Sequence, residues 1–305
     1  MAASARYVLG WEDRAGRASE ARGKRTRPAI CIAVCRALGG SLTDALPGAV
    51  AVELVHNFSL VHDEIQDRDR RRHGRPTLWT LIGEAQAINA GDFLYTLALE
   101  ALLGPEQASE ASSRAASALI AAVGAMVGGQ WSDLAFEGSV TVSRADYLRM
   151  VAGKTGALFG APVEIGAIFA GSRAETVRRL GDWGRHAGLA FQIQDDYLGI
   201  WGDPASTGKS NTNDIARRKL TFPVILGLSN REARRVIEEE YAREDAPDVE
   251  RVTRSLEGAG AKEQSREAAR AYAREASALL VEAGLRDSER NALAGVESAL
   301  IERDV

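Results

Sequence analysis

Apolar residues recur at spacings of three and four along most of this chain, and runs of alternating apolar and polar residues are absent. That spacing predicts amphipathic or buried α-helices, with serine caps at Ser41 (or Thr43) and Ser143. The predicted helices are 29–38, 41–67, 78–103, 107–134, 143–154, 157–170, 176–201, 231–240, 249–256, 261–283 and 288–302. The pattern therefore predicts an all-α protein, one domain over 1–305, with long helices around a central apolar cavity and an irregular segment at 1–22.

Composition narrows the class of protein. The chain has 305 residues, is 45% hydrophobic and carries a net charge of -4, which gives no reason to expect a nucleic-acid partner. The first residues contain no apolar leader, and the alanine- and glycine-rich run 115–132 predicts a buried core helix and no membrane span. Cys31 and Cys35 are expected to be core residues in a reducing compartment. We therefore expect a cytoplasmic protein.

Candidate chemistry begins with two acidic segments inside apolar runs. Asp63 and Asp67 are four residues apart, so on a helix they share one face and offer oxygen ligands to a hard divalent cation. Alone, this spacing is more often a solvated helix end. A second pair, Asp195 and Asp196, lies in the apolar run GLAFQIQDDYLGIWG and favours the metal interpretation.

Separated cationic residues match these carboxylates. They are Lys24, Arg25, Arg27, the arginines of 70–72, Lys154, Lys209 and Lys219. Arginine and lysine bind phosphate oxygens, so magnesium held by the acidic segments could bind a diphosphate among them. A Walker-type glycine loop and a nucleophile–base pair are absent from the sequence. The pattern thus indicates stabilisation of a leaving group beside an apolar pocket that holds a hydrocarbon cation.

Six separated motifs carry a resemblance to a known family. They are GKRTRP at 23–28, VELVH at 52–56, DEIQD through GRPT at 63–77, KT at 154–155, FQIQDD at 191–196, and the lysines at 209 and 219. In order and spacing the chain resembles the all-trans isoprenyl diphosphate synthases. The resemblance implies an all-helical homodimer that ionises an allylic diphosphate with Mg²⁺. The cation then adds to isopentenyl diphosphate, and loss of a proton completes the extension by one C5 unit.

The resemblance also implies roles for individual residues. The metal set is Asp63, Glu64, Asp67 and Asp195, with Asp196 in support; three Mg²⁺ ions are expected with substrate bound, and Mn²⁺ can substitute. The isopentenyl diphosphate set is Lys24, Arg27, His56 and His73. The allylic diphosphate set is Arg72, Lys154, Lys209 and Lys219. Thr155 and Gln192 correspond to polar positions near the reacting carbons. Taken alone, His56 would be a core histidine. For Gln192 the alternative is a satisfied buried amide, and the functional role is preferred. Gln130 and Asp133 recur in the family too, where a structural role is equally reasonable.

The sequence departs from the family pattern at three positions. Glu64 stands where aspartate is usual, His73 where a second arginine is usual, and Gly199 where the second motif ends in a carboxylate. Asp203 would compensate for Gly199 only if its helix continued that far.

The residues just before the first motif bear on product length. Phe58 and Ser59, five and four residues before Asp63, resemble the pattern of enzymes that make C20 products. We therefore expect a C15–C20 product and favour C20.

Other functions stay open at this point. A prenyltransferase of the same fold with a different acceptor is compatible with His73 and Gly199. A class I terpene cyclase would need an Asn/Asp-Asp-x-x-Ser/Thr-x-x-x-Glu element, whereas Arg217 follows Asn213-Asp214 where Ser or Thr is required. A non-catalytic subunit of a mixed synthase is the third alternative, and retention of the aspartates and of Lys24 and Lys154 argues against it.

Overall fold

The protein is all-α, as predicted, in a computed structural model that describes residues 1–19, 23–72, 74–203 and 213–301. In chain order the helices are α1 (Ala2–Val8), α2 (Thr26–Ala37), α3 (Leu42–Gln66), α4 (Leu78–Ile82), α5 (Glu84–Leu103), α6 (Glu110–Phe136), α7 (Arg144–Val151), α8 (Ala157–Phe169), α9 (Ala174–Trp201), α10 (Asn213–Ala216), α11 (Phe222–Leu228), α12 (Arg231–Tyr241), α13 (Val249–Gly258), α14 (Ala261–Glu282) and α15 (Asp287–Ile301). A 3₁₀ turn, Pro105–Gln107, precedes α6, and a single π turn, Ala152–Gly156, joins α7 to α8.

Three local predictions need correction. The segment 1–22, predicted to be irregular, begins with helix α1, because its alanines favour helix even without amphipathic spacing. The helix predicted over 78–103 is split at Gly83, whose φ of +83° is left-handed. The loop predicted at 74–77 contains a short strand, β2 (Arg75–Pro76), which pairs antiparallel with β1 (Arg71–Arg72).

The predicted serine caps are confirmed. Ser41 Oγ accepts a hydrogen bond from the Asp44 amide at 3.2 Å, and the Asp44 carboxylate accepts one from the Ser41 amide at 2.9 Å. This reciprocal capping box starts the helix that carries the first acidic segment. Ser143 caps α7, its Oγ accepting from the Asp146 amide at 3.1 Å. Both helices thus begin where local side-chain chemistry satisfies their free amides.

The chain forms two compact units, and the first comprises Met1–Ala121 and Ala161–Val177. Within it, α3 packs against α2 and α5. The inward face of α3 is fully buried at Ala51 and Val55. At Gly48 an added methyl group would lie 3.0 Å from the ring of Phe169, so the glycine permits a close helix approach. This packing fixes the last turns of α3, where the acidic segment lies.

The second unit comprises Ala122–Gly160 and Arg178–Val305. Its centre is α11, which packs against α7, α12, α13 and α14. The largest fully buried side chains here include Tyr147, Ile193, Phe222, Ile225 and Ile237. The buried start of α11 therefore lies against α7 and α9, which carry candidate site residues. The single domain expected over 1–305 stays a prediction.

Helix α6 is less buried than expected. It is long and apolar enough to cross a membrane by length and composition alone, and 33% of that apolar window is buried. Val127 and Trp131 are 52% and 78% exposed. Gly124 and Gly128, on the same helix face, have open space where a side chain would stand. The prediction of a buried core helix here is thus only partly right.

Candidate active site

The first acidic segment lies at the end of α3. The amide of Asp67 donates to the carbonyl of Asp63 at 2.8 Å, so the two residues are one helical turn apart, as predicted. Both side chains are half-buried, whereas the Glu64 residue between them is only 8% exposed. Consecutive helical residues differ by about 100° in direction, which separates Glu64 from the aspartate pair. The aspartates are therefore the more accessible carboxylates of this segment.

Glu64 is oriented towards a cation inside its own unit. Its Oε1 lies 3.9 Å from Nε of Arg72. Burial raises the pKa of Glu64 to about 7, although the charge of Arg72 lowers it. Glu64, which stands where the family usually has aspartate, therefore contacts an arginine that was predicted to bind phosphate. Direct metal binding by Glu64 stays a prediction.

A cationic cluster surrounds His56, two turns before Asp63 on α3. Nη1 of Arg27 lies 3.3 Å from Nε2 of His56. Because a guanidinium only donates hydrogen bonds, Nε2 is the acceptor and the imidazole proton lies on Nδ1. Burial, together with the charges of Arg27, Arg72 and Arg25, holds the pKa of His56 well below its ordinary value. His56 is therefore neutral at pH 7.

One carboxylate balances part of this positive charge. Glu53 forms an ion pair with Arg25 and accepts a hydrogen bond from Nδ2 of Asn57 at 2.9 Å. Burial lowers the pKa of Arg27 to about 10, and the charge of Glu53 acts in the opposite direction. Lys24, the remaining predicted cation of this group, is exposed. The first unit thus brings Arg27 and His56 together, as the sequence predicted, and adds Glu53, which the sequence analysis missed.

In the second unit, Lys154 and Thr155 lie on the π turn. Such turns widen a helix locally and are frequent at functional sites. Nζ of Lys154 lies 2.5 Å from Oδ2 of Asp133 on α6. The backbones pack closely here, since a methyl group on Gly153 would lie 2.7 Å from the carbonyl oxygen of Ala125. Asp133 is therefore the ionic partner of Lys154, a contact that the sequence did not identify.

A chain of hydrogen bonds leads from Thr155 into the core. Oγ1 of Thr155 donates to Oε1 of Gln192 at 2.8 Å, and Nε2 of Gln192 donates to Oδ1 of Asp196 at 2.9 Å. Oδ2 of Asp196 accepts from the hydroxyl of Tyr147 and from the amide of Phe222, the latter at 2.7 Å. Burial raises the pKa of Asp196 to about 7, against the opposing effect of these donors. With its oxygens so engaged, Asp196 is better suited to support the site than to bind metal.

Asp195 is half-buried, and Gly199 follows it one turn later on α9. A methyl group on Gly199 would lie 2.5 Å from Oδ2 of Asp214 on α10. A carboxylate from elsewhere in the chain therefore lies beside the position where the motif lacks its own. Asp203 does not compensate by helical spacing, because α9 ends at Trp201.

Lys219 follows α10 in the chain. Its backbone amide donates to the carbonyl of Asp214 at 2.9 Å, and its carbonyl accepts from the Tyr241 hydroxyl at 3.3 Å. These contacts fix the backbone that carries the lysine. Two further predicted residues, His73 and Lys209, lie outside the described residues.

The residues predicted to govern product length lie on α3. Phe58 is 8% exposed and stacks on Tyr95 of α5 with 5.4 Å between ring centroids. The ring of His62 meets it edge-on at 4.9 Å. Ser59 donates its hydroxyl to the carbonyl of His56 at 2.8 Å. Phe58 is thus held by two aromatic neighbours, His62 and Tyr95, neither of which was predicted.

The donor chemistry fits Mg²⁺. In the described part of the chain, no group of three or more His, Cys, Asp or Glu side chains could hold a metal ion alone. The accessible carboxylates nevertheless offer oxygen ligands, which Mg²⁺ prefers, and Mg²⁺ usually keeps water and substrate phosphate oxygens in its shell. Asp63 with Asp67, and Asp195 on α9, are the residues suited to hold it.

Comparison with known proteins identifies the family. Residues 13–258 match the polyprenyl synthetase family, so the chain belongs to it. The resemblance to all-trans isoprenyl diphosphate synthases is confirmed. The matched range includes both acidic segments and every cationic residue discussed above.

Two relatives come from Mycobacterium tuberculosis (strain ATCC 25618 / H37Rv). A (2E,6E)-farnesyl diphosphate synthase is 46% identical over 219 residues, which are 72% of this chain and 60% of that protein. The match therefore spans less than two thirds of that relative. A geranylgeranyl diphosphate synthase is 43% identical over 266 residues, 85% of this chain and 75% of that protein. The structure of a polyprenyl synthetase from Streptomyces coelicolor A3(2) superposes with a TM-score of 0.91 at 34% identity, covering 98% of this chain and 91% of that one.

Proposed function

We propose that this protein condenses an allylic diphosphate with isopentenyl diphosphate, head to tail, to give a short-chain all-trans prenyl diphosphate. The observation that carries the proposal is the family match over residues 13–258, a range that contains the acidic segments and their cationic neighbours. The relatives' names support a short-chain product, since they are farnesyl and geranylgeranyl diphosphate synthases.

The reaction balances as an ionisation, an addition and an elimination. The C1–O bond of the allylic diphosphate breaks, and inorganic diphosphate leaves with the electron pair. The double bond of isopentenyl diphosphate then attacks the allylic cation, forming a carbon–carbon bond and a tertiary cation. Loss of one proton from the neighbouring carbon creates the new double bond. Catalysis therefore depends on stabilising the leaving diphosphate and the cation.

Residues of the first unit would bind both diphosphates. Asp63 and Asp67 would hold Mg²⁺, which supplies charge neutralisation for the leaving group when bound. Arg72, whose Nε lies 3.9 Å from Oε1 of Glu64, would bind allylic diphosphate oxygens. Arg27 and Lys24 would bind isopentenyl diphosphate. Neutral His56 can donate from one ring nitrogen while the other accepts from Arg27.

Residues of the second unit would act at the leaving group and near the reacting carbons. Asp195 would hold a further Mg²⁺, with Asp196 in support. Lys154, oriented by Asp133, and Lys219 would bind allylic diphosphate oxygens. Thr155 and Gln192 carry oxygen atoms that can stabilise the cation. Mn²⁺ would substitute for Mg²⁺, because it also accepts oxygen ligands in octahedral geometry.

One assay tests the function. The purified protein is incubated with Mg²⁺ and dimethylallyl, geranyl or farnesyl diphosphate, with and without labelled isopentenyl diphosphate. We expect labelled, elongated diphosphates. Hydrocarbons formed without isopentenyl diphosphate would indicate a cyclase, a labelled product on another acceptor would indicate a different transferase, and no product would favour a non-catalytic subunit. Asp67→Asn should abolish product, whereas Glu250→Gln on an outer helix should not.

We propose a C20 product. Phe58 lies one helical turn and a further residue before Asp63, about 7.5 Å along the helix axis, where it can limit a growing chain. The Tyr95 and His62 rings hold its side chain in place. Phe58→Ala should therefore shift the product mixture towards longer chains, measured by chromatography of the dephosphorylated alcohols. The C20 proposal fails if farnesyl alcohol is the end product of the unaltered protein.

We propose that the protein is a cytoplasmic homodimer in which a second copy covers the apolar stripe of α6. Val127 and Trp131 are exposed, and the glycines beside them leave room for a close helix. Light scattering should give a dimer mass for the unaltered protein and a monomer mass for Trp131→Glu. Trp11→Glu, at another exposed tryptophan, is the matched control. A protein that stays monomeric and requires detergent would favour a membrane contact instead.

A further inference from the structure

The hydrogen bonds between Tyr147 and Thr155 have a defined direction. The amide of Phe222 can only donate, so Oδ2 of Asp196 is an acceptor. The Tyr147 hydroxyl donates to the same oxygen. Nε2 of Gln192 donates to the other carboxylate oxygen, which leaves Oε1 of Gln192 facing Thr155 at 2.8 Å. Thr155 therefore donates its single hydroxyl proton to Gln192.

This direction determines what Thr155 presents on its other side. A hydroxyl has one proton and two lone pairs, and the proton is engaged by Gln192. The oxygen lone pairs, which carry partial negative charge, are left for any group outside the chain of hydrogen bonds. A reversed chain would turn the proton outward and would repel a developing cation. The orientation of the hydroxyl thus decides the sign of the local electrostatic interaction.

Tyr147 is the innermost side-chain donor of this chain. It is 1% exposed and lies on α7, seven residues before Lys154, so it cannot itself reach a bound substrate through its hydroxyl. Together with the Phe222 amide it holds the Asp196 carboxylate, which is 7% exposed. Because these two buried donors fix the Asp196 carboxylate, they also fix the side-chain amide of Gln192, which is hydrogen-bonded to it.

We propose that Tyr147 is a positioning residue that acts through Asp196 and Gln192 to turn the lone pairs of Thr155 towards the reacting allylic carbons. The inference rests on the proposed function for its substrate. It assigns to Tyr147 an effect on the rate of cation formation and none on substrate binding.

Kinetics of three variants test the proposal. Tyr147→Phe keeps the ring and removes the hydroxyl, and it should lower kcat about tenfold while KM for both substrates changes less than about twofold. Tyr272→Phe, at a tyrosine outside the chain of hydrogen bonds, should change neither. Thr155→Val keeps the side-chain shape, and the double variant should be no slower than Thr155→Val alone. Multiplied losses in the double variant, or a change in KM alone, would overturn the proposal.

A second measurement is independent of activity. In protein labelled with ¹⁵N at glutamine side chains, Tyr147→Phe should shift the amide resonance of Gln192, which is identified by its loss in Gln192→Ala. Tyr272→Phe should leave it in place. If Tyr147→Phe does not fold, Thr155→Val should shift the same resonance from the other end. An unchanged Gln192 resonance overturns the inference, whereas absence of elongated product in the unaltered protein overturns the proposed function.

Discussion

The second carboxylates of the two acidic segments, Glu64 on α3 and Asp196 on α9, are equally buried but have different partners. Glu64 and Asp196 are 8% and 7% exposed, and burial raises the pKa of each to about 7. Glu64 has a cation near it, Arg72 at 3.9 Å. Asp196 instead accepts hydrogen bonds from Tyr147, Gln192 and the Phe222 amide. One inner carboxylate therefore lies near a cation that we propose binds phosphate, and the other accepts hydrogen bonds from neutral donors.

The difference follows from helix geometry and from what lies behind each helix. In both segments one side chain, Asp63 or Asp195, is half-buried, and the next turns by about 100° into the protein. Behind α3 there are arginines. Behind α9 lie the buried ends of α7 and α11. Adjacent acidic residues thus differ in position: the outer one is half-buried and is the proposed metal ligand, and the inner one contacts other groups of the protein.

The largest expected effect compares the two inner carboxylates directly. Asp196→Ala removes the acceptor of three donors, so it should lower the free energy of unfolding by about 2–3 kcal/mol. Glu64→Ala loses one long ionic contact and should cost about 1 kcal/mol or less. Urea denaturation at pH 8, followed by circular dichroism, measures both. Equal losses would mean that the partners of the two carboxylates do not differ in strength.

The second prediction uses the pKa of Glu64. Because its folded pKa of about 7 lies above the usual 4.5, the folded state binds a proton between these values that the unfolded state does not. The stability gained from this proton is complete below pH 4.5 and is lost as the pH rises through 7. Glu64→Gln should therefore gain about 2 kcal/mol relative to the unaltered protein between pH 5 and pH 8. Exposed Glu250→Gln is the control; a similar gain there would refute the assignment.

Whether the sequence could predict a contact depends on how far apart its two residues lie along the chain. The caps of Ser41 and Ser143 and the turn joining Asp63 to Asp67 arise from residues three or four apart, and local rules predicted them. Two partners of Asp196, Tyr147 and Phe222, lie 49 and 26 residues away, and Asp133, a partner of Lys154, lies 21 residues away. Only folding brings such residues together, so no spacing in the sequence indicates them.

Helix α1 was missed for a different reason. Its alanines satisfy helix propensity, but it lacks the apolar periodicity on which the other predictions relied. Resemblance named more candidate site residues than spacing did. It did not indicate that Glu64 faces Arg72 or that Asp214 lies beside Gly199. Candidate site residues could thus be named from the sequence, whereas these contacts could not.

The third prediction concerns His56, whose titration has the opposite sign to that of Glu64. Its folded pKa lies below the usual 6.5, so below pH 6.5 the unfolded state binds a proton that the folded state does not. The protein should lose stability on this account as the pH falls. His56→Gln should gain about 1 kcal/mol relative to the unaltered protein between pH 7.5 and pH 5.5, measured by thermal denaturation. Parallel pH profiles would show that burial and the surrounding arginines do not keep His56 neutral.

The smallest expected effect tests the carboxylate missing from α9. In an exposed helix, glycine to alanine stabilises by about 0.5–1 kcal/mol, as expected for Gly295→Ala, where space is open. Gly199→Ala should lose that gain, because its methyl group would lie 2.5 Å from Oδ2 of Asp214 and displace the carboxylate. In an Asp214→Ala background the same substitution should recover the gain, as a double-mutant cycle by urea denaturation would reveal. Gly199 follows Asp195 by four residues, as Asp67 follows Asp63. If Gly199→Ala stabilises the protein equally in both backgrounds, the Asp214 carboxylate does not lie beside Gly199.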